Sequence, residues 1–540
     1  MKIPLVSPSD LYQRLQTTEE IALLDIREQG VFAQGHILQA SCLPLGHFED
    51  RLAGMVVRHD TPIILVSDVP SAPYRLPERA FDYLKRSGYT RVFCLEGGIT
   101  GWDDAGYQVF TGINTLSKAF GEFVETNCHT PNITAPELKC LLDADDNVMV
   151  FDARPEKEFY RNAIPAAINL PGVELIYRVF DMVRDPATLI VVNCAGRTRS
   201  IIGAQSLVNL GIENQVAALK NGIMGWHLAG FDLAYKRHNP LQALSAEGSA
   251  AARAAVSTFA GRFEIKRINE EQLRELKNQQ GRRRNIYLFD VRTPAEYEAG
   301  HLPGSKSAPG GQLIQATDDY LAVRNGIVIL IDNDGVRASM TASWLLQMGL
   351  PDVYILQCGN ESDSFTVGDN HKLKPSVRES AAISVDHLRE IVPAGEVLVL
   401  DLASSKTYRE GHIPGAAWLI RSRIEKDLEN EIIPLKIVVT SSSSAQAIRA
   451  GRELQHCYPD ANVRVLEGGT AAWIDRGYEL EVGMTRPLSA IEDLWYRPYE
   501  QTTDQESAMR RYLEWEIGLL ESVTREAGVP FIACEQEAEA

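Results

Sequence analysis

The sequence predicts an α/β protein made of four similar domains in tandem, each with a central parallel sheet flanked by helices, followed by a C-terminal helical tail. Three observations support this fold class. One set of landmarks occurs four times, short Val/Ile/Leu strands alternate with helical stretches, and each copy is long enough to be a domain. Such alternation is typical of a parallel sheet that is covered by helices on both faces.

The first landmark is an apolar strand that ends in an aspartate. The four residues are Asp25, Asp152, Asp290 and Asp401, and the steps between them are 127, 138 and 111 residues. Solenoid repeats are only about 20 to 50 residues long, so these steps indicate units with their own cores. A turn follows that contains Gly-His in copies one, three and four but Asn162-Ala163 in copy two. We expect the histidine to hold the turn, and the Asp-x-Arg element to be structural.

The second landmark is an apolar strand that leads into a loop and a helix. In copy two the helix predicted from Ser200 to Leu210 has an apolar face and stops at Gly211. The third landmark is a strand that closes on glycine, and a tryptophan follows it in copies one, two and four. The glycines are Gly98, Gly222, Gly359 and Gly469.

These landmarks divide the chain into domains. The predicted ranges are 1–113, 130–235, 263–366 and 376–485. Residues 236–262 form an Ala-rich linker between domains two and three, which is compatible with a helix.

The tail, residues 486–540, lies outside the repeats. One apolar face precedes Gly528 and Pro530, and its members are Met509, Tyr512, Leu513, Leu519, Leu520 and Val523. Because amphipathic helices mostly serve their own core, we expect this helix to pack on the fourth domain, with a homodimer contact as the alternative.

Composition limits the classes of function. The chain is 45% hydrophobic and 23% charged, and its net charge of −18 argues against a nucleic-acid surface. No apolar run reaches the roughly 20 residues of a membrane span, and the N-terminus lacks a signal-peptide core, so we expect a cytoplasmic protein without a membrane partner. The eight cysteines form no CxxC pair, which predicts neither a disulfide framework nor a metal site.

The strongest candidate for chemistry is the loop after the second strand of copy two. Cys194 stands between a strand and a helix and is followed by Ala195, Gly196, Arg197, Thr198 and Arg199. Backbone N–H groups at a helix start have no intrahelical partner, and together with two arginines they favour thiolate over thiol. We therefore expect a depressed pKa and a nucleophilic Cys194.

The other three copies lack this thiol. Aligning the strand ends places Asp68, Asp332 and Ser441 opposite Cys194. A carboxylate is not a sulfur nucleophile, and no histidine or acid stands beside Ser441 to activate it. The sequence thus predicts one active domain and three inactive ones.

Taken together, these motifs resemble the rhodanese-like sulfurtransferases. The most specific pieces are the segment Asp290-Val-Arg-Thr-Pro-Ala-Glu-Tyr-Glu-Ala-Gly-His-Leu-Pro-Gly304, the Leu-Glu-Gly-Gly closures of copies one and four, and the Cys194 loop. The resemblance implies a small α/β domain whose cysteine starts the loop that wraps the substrate sulfur. It also implies pairs of domains in which the first is inactive, as copies one and two are arranged.

The resemblance implies a thiosulfate sulfurtransferase. Cys194 would take the outer sulfur of thiosulfate as a persulfide and pass it to cyanide or a thiol, while the loop from Ala195 to Arg199 binds the anionic donor and Arg197 and Arg199 hold its sulfonate. No cofactor is expected. The alternatives are 3-mercaptopyruvate as donor, or a persulfide carrier that serves a partner protein. Cysteine phosphatases place five residues between Cys and Arg, whereas four separate Cys194 from Arg199.

Overall fold

The structure is a computed structural model that describes residues 2–68, 74–357, 382–501, 503–526, 529, 531 and 532. Over these residues it contains four parallel five-stranded sheets, which confirms the predicted fold class. Gly359, Gly528, Pro530 and the predicted boundary between domains three and four lie outside the described residues. Among the described helices, none combines the length and apolar composition needed to cross a bilayer.

The first two domains have the same element order. In domain one the strands are β1 Leu5–Val6, β2 Ala22–Asp25, β3 Ser41–Cys42, β4 Ile63–Val66 and β5 Val92–Leu95, and the helices are α1 Pro8–Leu15, α2 Gln29–Phe32, α3 Phe48–Met55, α4 Leu76–Arg86 and α5 Gly98–Asp104. In domain two they are β6 Asn132–Ile133, β7 Val148–Asp152, β8 Ile168–Asn169, β9 Leu189–Asn193 and β10 Val216–Leu219, with α7 Ala135–Asp143, α8 Glu156–Arg161, α9 Glu174–Met182, α10 Thr198–Leu210 and α11 Gly222–Leu228. Helix α6, Thr115–Cys128, connects the two domains.

Domains three and four repeat this plan. Domain three contains β11 Lys266–Ile268, β12 Ile286–Asp290, β13 Lys306–Ser307, β14 Ile327–Ile331 and β15 Asp352–Leu356, with α13 Glu270–Gln280, α14 Pro294–Ala299, α15 Gly310–Gln315, α16 Thr317–Tyr320 and α17 Val336–Gln347. Domain four contains β16 Ala382–Ile383, β17 Leu398–Asp401, β18 Ala417–Trp418, β19 Lys436–Thr440 and β20 Asn462–Leu466, with α18 Val385–Ile391, α19 Ser405–Glu410, α20 Ile424–Asp427, α21 Ser444–Cys457 and α22 Gly469–Asp475.

Four further helical segments connect or follow the domains. They are α12 Ala246–Ala260 in the Ala-rich linker, 3-10 turns at Gly261–Phe263 and Pro498–Glu500, and α23 Gln505–Thr524 in the tail.

The strand that carries each candidate loop lies in the middle of its sheet. The order in domain two is β6-β10-β9-β7-β8, and the other three sheets are ordered in the same way. Both faces of such a strand are covered, which explains the apolar residues from Leu189 to Val192 of β9 and the fully apolar β14. The loops therefore start at the carboxyl edge of the sheet, where parallel α/β folds place their sites.

The domains share cores rather than standing apart. One apolar cluster joins Phe120 of α6, Phe151 of domain two and Trp344 of domain three. Trp344 also donates its indole N–H to Ser206 Oγ at 2.9 Å. At Gly172 and Gly311 the backbones of domains two and three meet, since a Cβ at Gly172 would lie 2.5 Å from the Gly311 Cα.

The C-terminal helix does not pack where the sequence pattern predicted. Leu519 and Val523 of α23 join Leu116 and Ala119 of α6 in one apolar cluster, whereas Met509 and Leu513 of α23 pack on Met224 of domain two. The expected docking on domain four is therefore wrong. The apolar face is used within the chain, which removes the basis for a dimer contact through it.

Candidate active site

Backbone hydrogen bonds from the start of α11 hold the Cys194 loop. The N–H of Ile223 donates to the Cys194 carbonyl at 2.8 Å, and the N–H of Met224 donates to that of Ala195 at 3.1 Å. Gly222 has a φ of +52°, and a Cβ there would lie 2.3 Å from the Cys194 carbonyl oxygen. The glycine of the third landmark is thus needed because the backbone passes directly against the cysteine.

The loop presents its backbone N–H groups without acceptors. Among the described residues, no protein group accepts a hydrogen bond from the N–H of Ala195, Gly196, Arg197, Thr198 or Arg199. The last two belong to the first turn of α10, whose N–H groups have no intrahelical partner. Five N–H donors without an acceptor at the start of a helix can form a cradle for an anion.

Cys194 lies at the base of this cradle and is only 2% exposed. Its Sγ is 3.5 Å from Ser200 Oγ, which in turn donates to the Arg197 carbonyl at 2.7 Å. Burial raises the pKa of the Cys194 thiol, and Arg199 and Ser200 oppose that rise only in part. The expected depressed pKa is therefore wrong for this structure, because desolvation of the thiolate outweighs the nearby donors.

The two loop arginines have different surroundings. Arg197 turns to α6, where its Nε and Nη2 donate to Glu122 at 2.6 and 2.7 Å and Nη2 also contacts Glu125. Its Nη1 donates to Asn221 Oδ1 at 3.2 Å. This guanidinium fixes the loop to α6, so it is not available for a sulfonate in the way the sequence predicted.

Arg199 lies on the cysteine side. It donates to both carboxylate oxygens of Glu158 in α8, at 3.1 and 2.9 Å. Arg497 of the tail contacts the same carboxylate at 3.1 Å. Although burial would raise it, the two guanidinium groups hold the pKa of Glu158 at about 2. Two cations therefore share the Glu158 carboxylate, and of these two Arg199 is the one that acts on Cys194.

Helix α23 contributes a residue that the sequence analysis missed. Glu516 is 1% exposed, and its Oε1 accepts the Thr198 hydroxyl at 2.7 Å. A Cβ at Gly196 would be 3.1 Å from Glu516 Oε2, so this oxygen lies directly against the loop. The signal was present in the sequence, since Glu516 interrupts the apolar face between Leu513 and Leu519.

A buried lysine stands behind this glutamate. Lys118 of α6 donates to the Ile113 carbonyl at 2.6 Å. Its Nζ lies 5.1, 5.3 and 4.9 Å from the ring centres of Trp495, Tyr512 and Trp515. Burial lowers the pKa of Lys118 to about 8, and Glu516 is the strongest opposing influence. The tail thus surrounds the Cys194 loop with aromatic and charged groups.

The equivalent positions in the other domains are set by strand register. Asp152 pairs with Asn193, directly before Cys194. Asp290 pairs with Ile331 and Asp401 with Thr440, which places Asp332 and Ser441 opposite Cys194 as predicted. Ser441 Oγ donates to Gln446 Oε1 at 2.8 Å.

Domain one differs from the prediction by one residue. Asp25 pairs with Val66, so Ser67 rather than Asp68 occupies the position of Cys194. The Asp68 carboxylate instead accepts from Arg27 Nη1 at 3.0 Å, as Asn333 accepts from Arg292 in domain three. The sequence alignment was wrong by one residue because shifting an apolar strand end by one residue leaves the apolar pattern almost unchanged.

The remaining predicted structural roles are seen directly. Arg154 pairs with Asp152 at 2.7 Å and donates to the Asn162 carbonyl at 2.6 Å, so the Asp-x-Arg element ties the strand end to the turn. His301 is fully buried and stacks on Tyr297 with ring centres 3.9 Å apart. In the described part of the chain, no group of three or more His, Cys, Asp or Glu side chains has the arrangement of a metal site.

The chain is similar to known proteins in sequence and in fold. A family model described as Rhodanese-like domain matches residues 7–105, 134–229, 271–362 and 384–476. The crystal structure of a thiosulfate sulfurtransferase from Pseudomonas aeruginosa is 41% identical with a TM-score of 0.91, and the match covers 98% of this chain and 99% of that one. A sulfurtransferase from Allochromatium vinosum is 34% identical over 104 residues, which are 19% of this chain and 92% of that protein.

Proposed function

Because this chain belongs to the rhodanese-like family, we propose that it is a thiosulfate sulfurtransferase that moves sulfane sulfur to cyanide or a thiol through a persulfide on Cys194. The observation that carries the proposal is a cysteine at the base of five unpaired N–H donors. The likeness over the whole chain to a thiosulfate sulfurtransferase supports the choice of donor.

The first half-reaction forms the persulfide. The Cys194 thiolate attacks the outer sulfur of thiosulfate, the S–S bond of thiosulfate breaks, and its electron pair leaves with sulfite. The N–H groups from Ala195 to Arg199 then hold the anionic persulfide, where each such donor is worth about 3 kcal/mol. Arg199, supported by Arg497, faces the sulfonate of the donor. Arg197 contributes its backbone N–H and anchors the loop through Glu122.

The second half-reaction returns the thiolate. A thiophilic acceptor attacks the outer sulfur of the persulfide, and the electron pair of the broken S–S bond returns to Cys194 Sγ. This is covalent catalysis in two steps, which gives ping-pong kinetics.

The test is thiocyanate formation from thiosulfate and cyanide, together with mass spectrometry of the intact protein after thiosulfate alone. We expect turnover and the gain of one sulfur atom in the parent, and neither in Cys194→Ser. The exposed thiol of Cys140, in the same domain, supplies the matched control Cys140→Ser, which should keep both. A parent without either signal would contradict the proposal.

The same assay separates the two alternatives. A 3-mercaptopyruvate enzyme would release pyruvate faster than it uses thiosulfate at equal concentrations. A persulfide carrier would gain the sulfur atom but release thiocyanate no faster than the free persulfide of a small thiol does.

A further inference from the structure

The tail helix places an unpaired oxygen in the site. Within the described residues, Glu516 Oε2 is buried and has no hydrogen-bond partner, whereas Oε1 accepts from Thr198. Helix α23 lies beyond residue 476, where the last match to the family model ends. The group therefore belongs to the part of the chain that the repeated domains do not contain.

A buried carboxylate oxygen without a donor is unfavourable, so a ligand that supplies a donor is expected at this position. The anionic sulfur donor carries no hydrogen to give. The cyanide anion also has no hydrogen to donate. An acceptor thiol has an S–H group, and its sulfur must reach the outer sulfur of the Cys194 persulfide to react.

Resting on the sulfurtransferase function proposed above, we propose that Glu516 is the catalytic base that binds the acceptor thiol and takes its proton. The S–H of the acceptor donates to Oε2. As the proton moves to Oε2, the acceptor sulfur forms a bond to the outer sulfur of the persulfide, and the S–S bond to Cys194 breaks with its electron pair on Sγ. The products are the acceptor persulfide anion, the Cys194 thiolate and a protonated Glu516.

The surroundings suit this role. Lys118 and Arg197 are cations that act on Glu516, and Tyr512 of the same helix covers it. Thr198 fixes its orientation, because the hydroxyl occupies Oε1 and leaves Oε2 toward Gly196.

The variant that isolates the proton transfer is Glu516→Gln. The amide keeps the size of the side chain and an oxygen for the Thr198 hydroxyl, but it cannot take a proton. The protein is first loaded with sulfur by thiosulfate or, independently, by inorganic polysulfide. Single-turnover rates are then measured with cyanide and with dithiothreitol, whose persulfide releases sulfide. Loading by polysulfide keeps the test valid even if thiosulfate is not the donor.

General-base catalysis typically contributes about 10² to 10⁴-fold, so we expect at least a tenfold loss with dithiothreitol. The cyanide rate should stay within about twofold, since this reaction needs no base. A fluorinated thiol that is already ionised at the assay pH should be as insensitive as cyanide. Glu516→Asp should recover part of the dithiothreitol rate.

The matched control is Glu514→Gln, which removes the same charge from an exposed position of α23. It should leave both acceptor rates unchanged. Equal losses with cyanide and dithiothreitol in Glu516→Gln would show a purely structural role, and unchanged rates would show that the acceptor does not meet Glu516. Either result overturns the proposal without affecting the assignment of Cys194.

Discussion

The loops of domains two and three are built alike around different residues. In domain two Arg199 pairs with Glu158 at 2.9 Å, and in domain three Arg337 pairs with Glu296 at 2.8 Å. At the end of β14, however, Asp332 replaces the cysteine. Its carboxylate accepts from the N–H of Gly335 at 2.7 Å and of Ala338 at 2.9 Å.

The replacement of Cys194 by Asp332 indicates that the loop is built to bind an anion. The N–H groups at this helix start need an anion, and domain three supplies one from its own chain. Domain two has a buried thiol in that place, and among the described residues the N–H groups from Ala195 to Arg199 have no acceptor. For two N–H groups, the Asp332 carboxylate thus takes the place that we propose for the anionic sulfur in domain two.

Changing the cysteine to the residue of domain three should have the largest effect. In Cys194→Asp the carboxylate is expected to occupy the cradle, so thiocyanate formation should fall to the uncatalysed background. The melting temperature should stay at or above that of Cys194→Ser, because the N–H groups gain an internal acceptor. A clearly less stable Cys194→Asp would show that the two loops are not interchangeable.

The two arginines provide the next comparison. Arg199→Leu should reduce kcat/KM for thiosulfate by about 10²-fold or more, since it removes a cation that faces the developing charge. Arg337→Leu should leave kcat/KM unchanged but lower stability by about 3 kcal/mol, because Glu174 and Glu296 lose a buried partner. Steady-state kinetics and thermal unfolding of both variants measure this. Equal kinetic losses would refute a donor site at Arg199.

The pH dependence tests the state of the thiol. Burial raises the pKa of Cys194, so its reactive thiolate is scarce at neutral pH and increases with pH. The rate of persulfide formation should rise about tenfold per pH unit through the neutral range and should still be rising at pH 9. Stopped-flow measurement with thiosulfate checks this. A rate that is already constant below pH 8 would show that the thiolate is stabilised after all.

The smallest effect on stability is expected for a substitution in the Asp332 loop of domain three, which has no thiol. Asp332→Asn weakens the acceptors of Gly335 and Ala338, which should cost about 1 kcal/mol without changing turnover. Hydrogen exchange of these two amides should become faster, whereas that of the β14 amides should not change. Reduced turnover in Asp332→Asn would indicate that domain three takes part in catalysis.

Several features could be predicted from sequence because they are local. The strand, loop and helix around Cys194 lie within about twenty residues, so their order and the end of α10 at Gly211 follow from pattern and turn chemistry. The same holds for the Asp-x-Arg element, whose partners are neighbours in the chain. The shift between Ser67 and Asp68 was missed because only pairing with the adjacent strand decides register.

The sequence by itself determined that four similar parallel-sheet domains follow one another and that, of the four loop positions compared, Cys194 alone carries a thiol. Only the tertiary structure decided how that thiol behaves. Residues more than 300 positions away in the chain contact its surroundings, since Glu516 accepts from Thr198 and Arg497 pairs with Glu158. Such contacts arise from packing between distant segments, and desolvation and long-range charge cannot be read from local pattern.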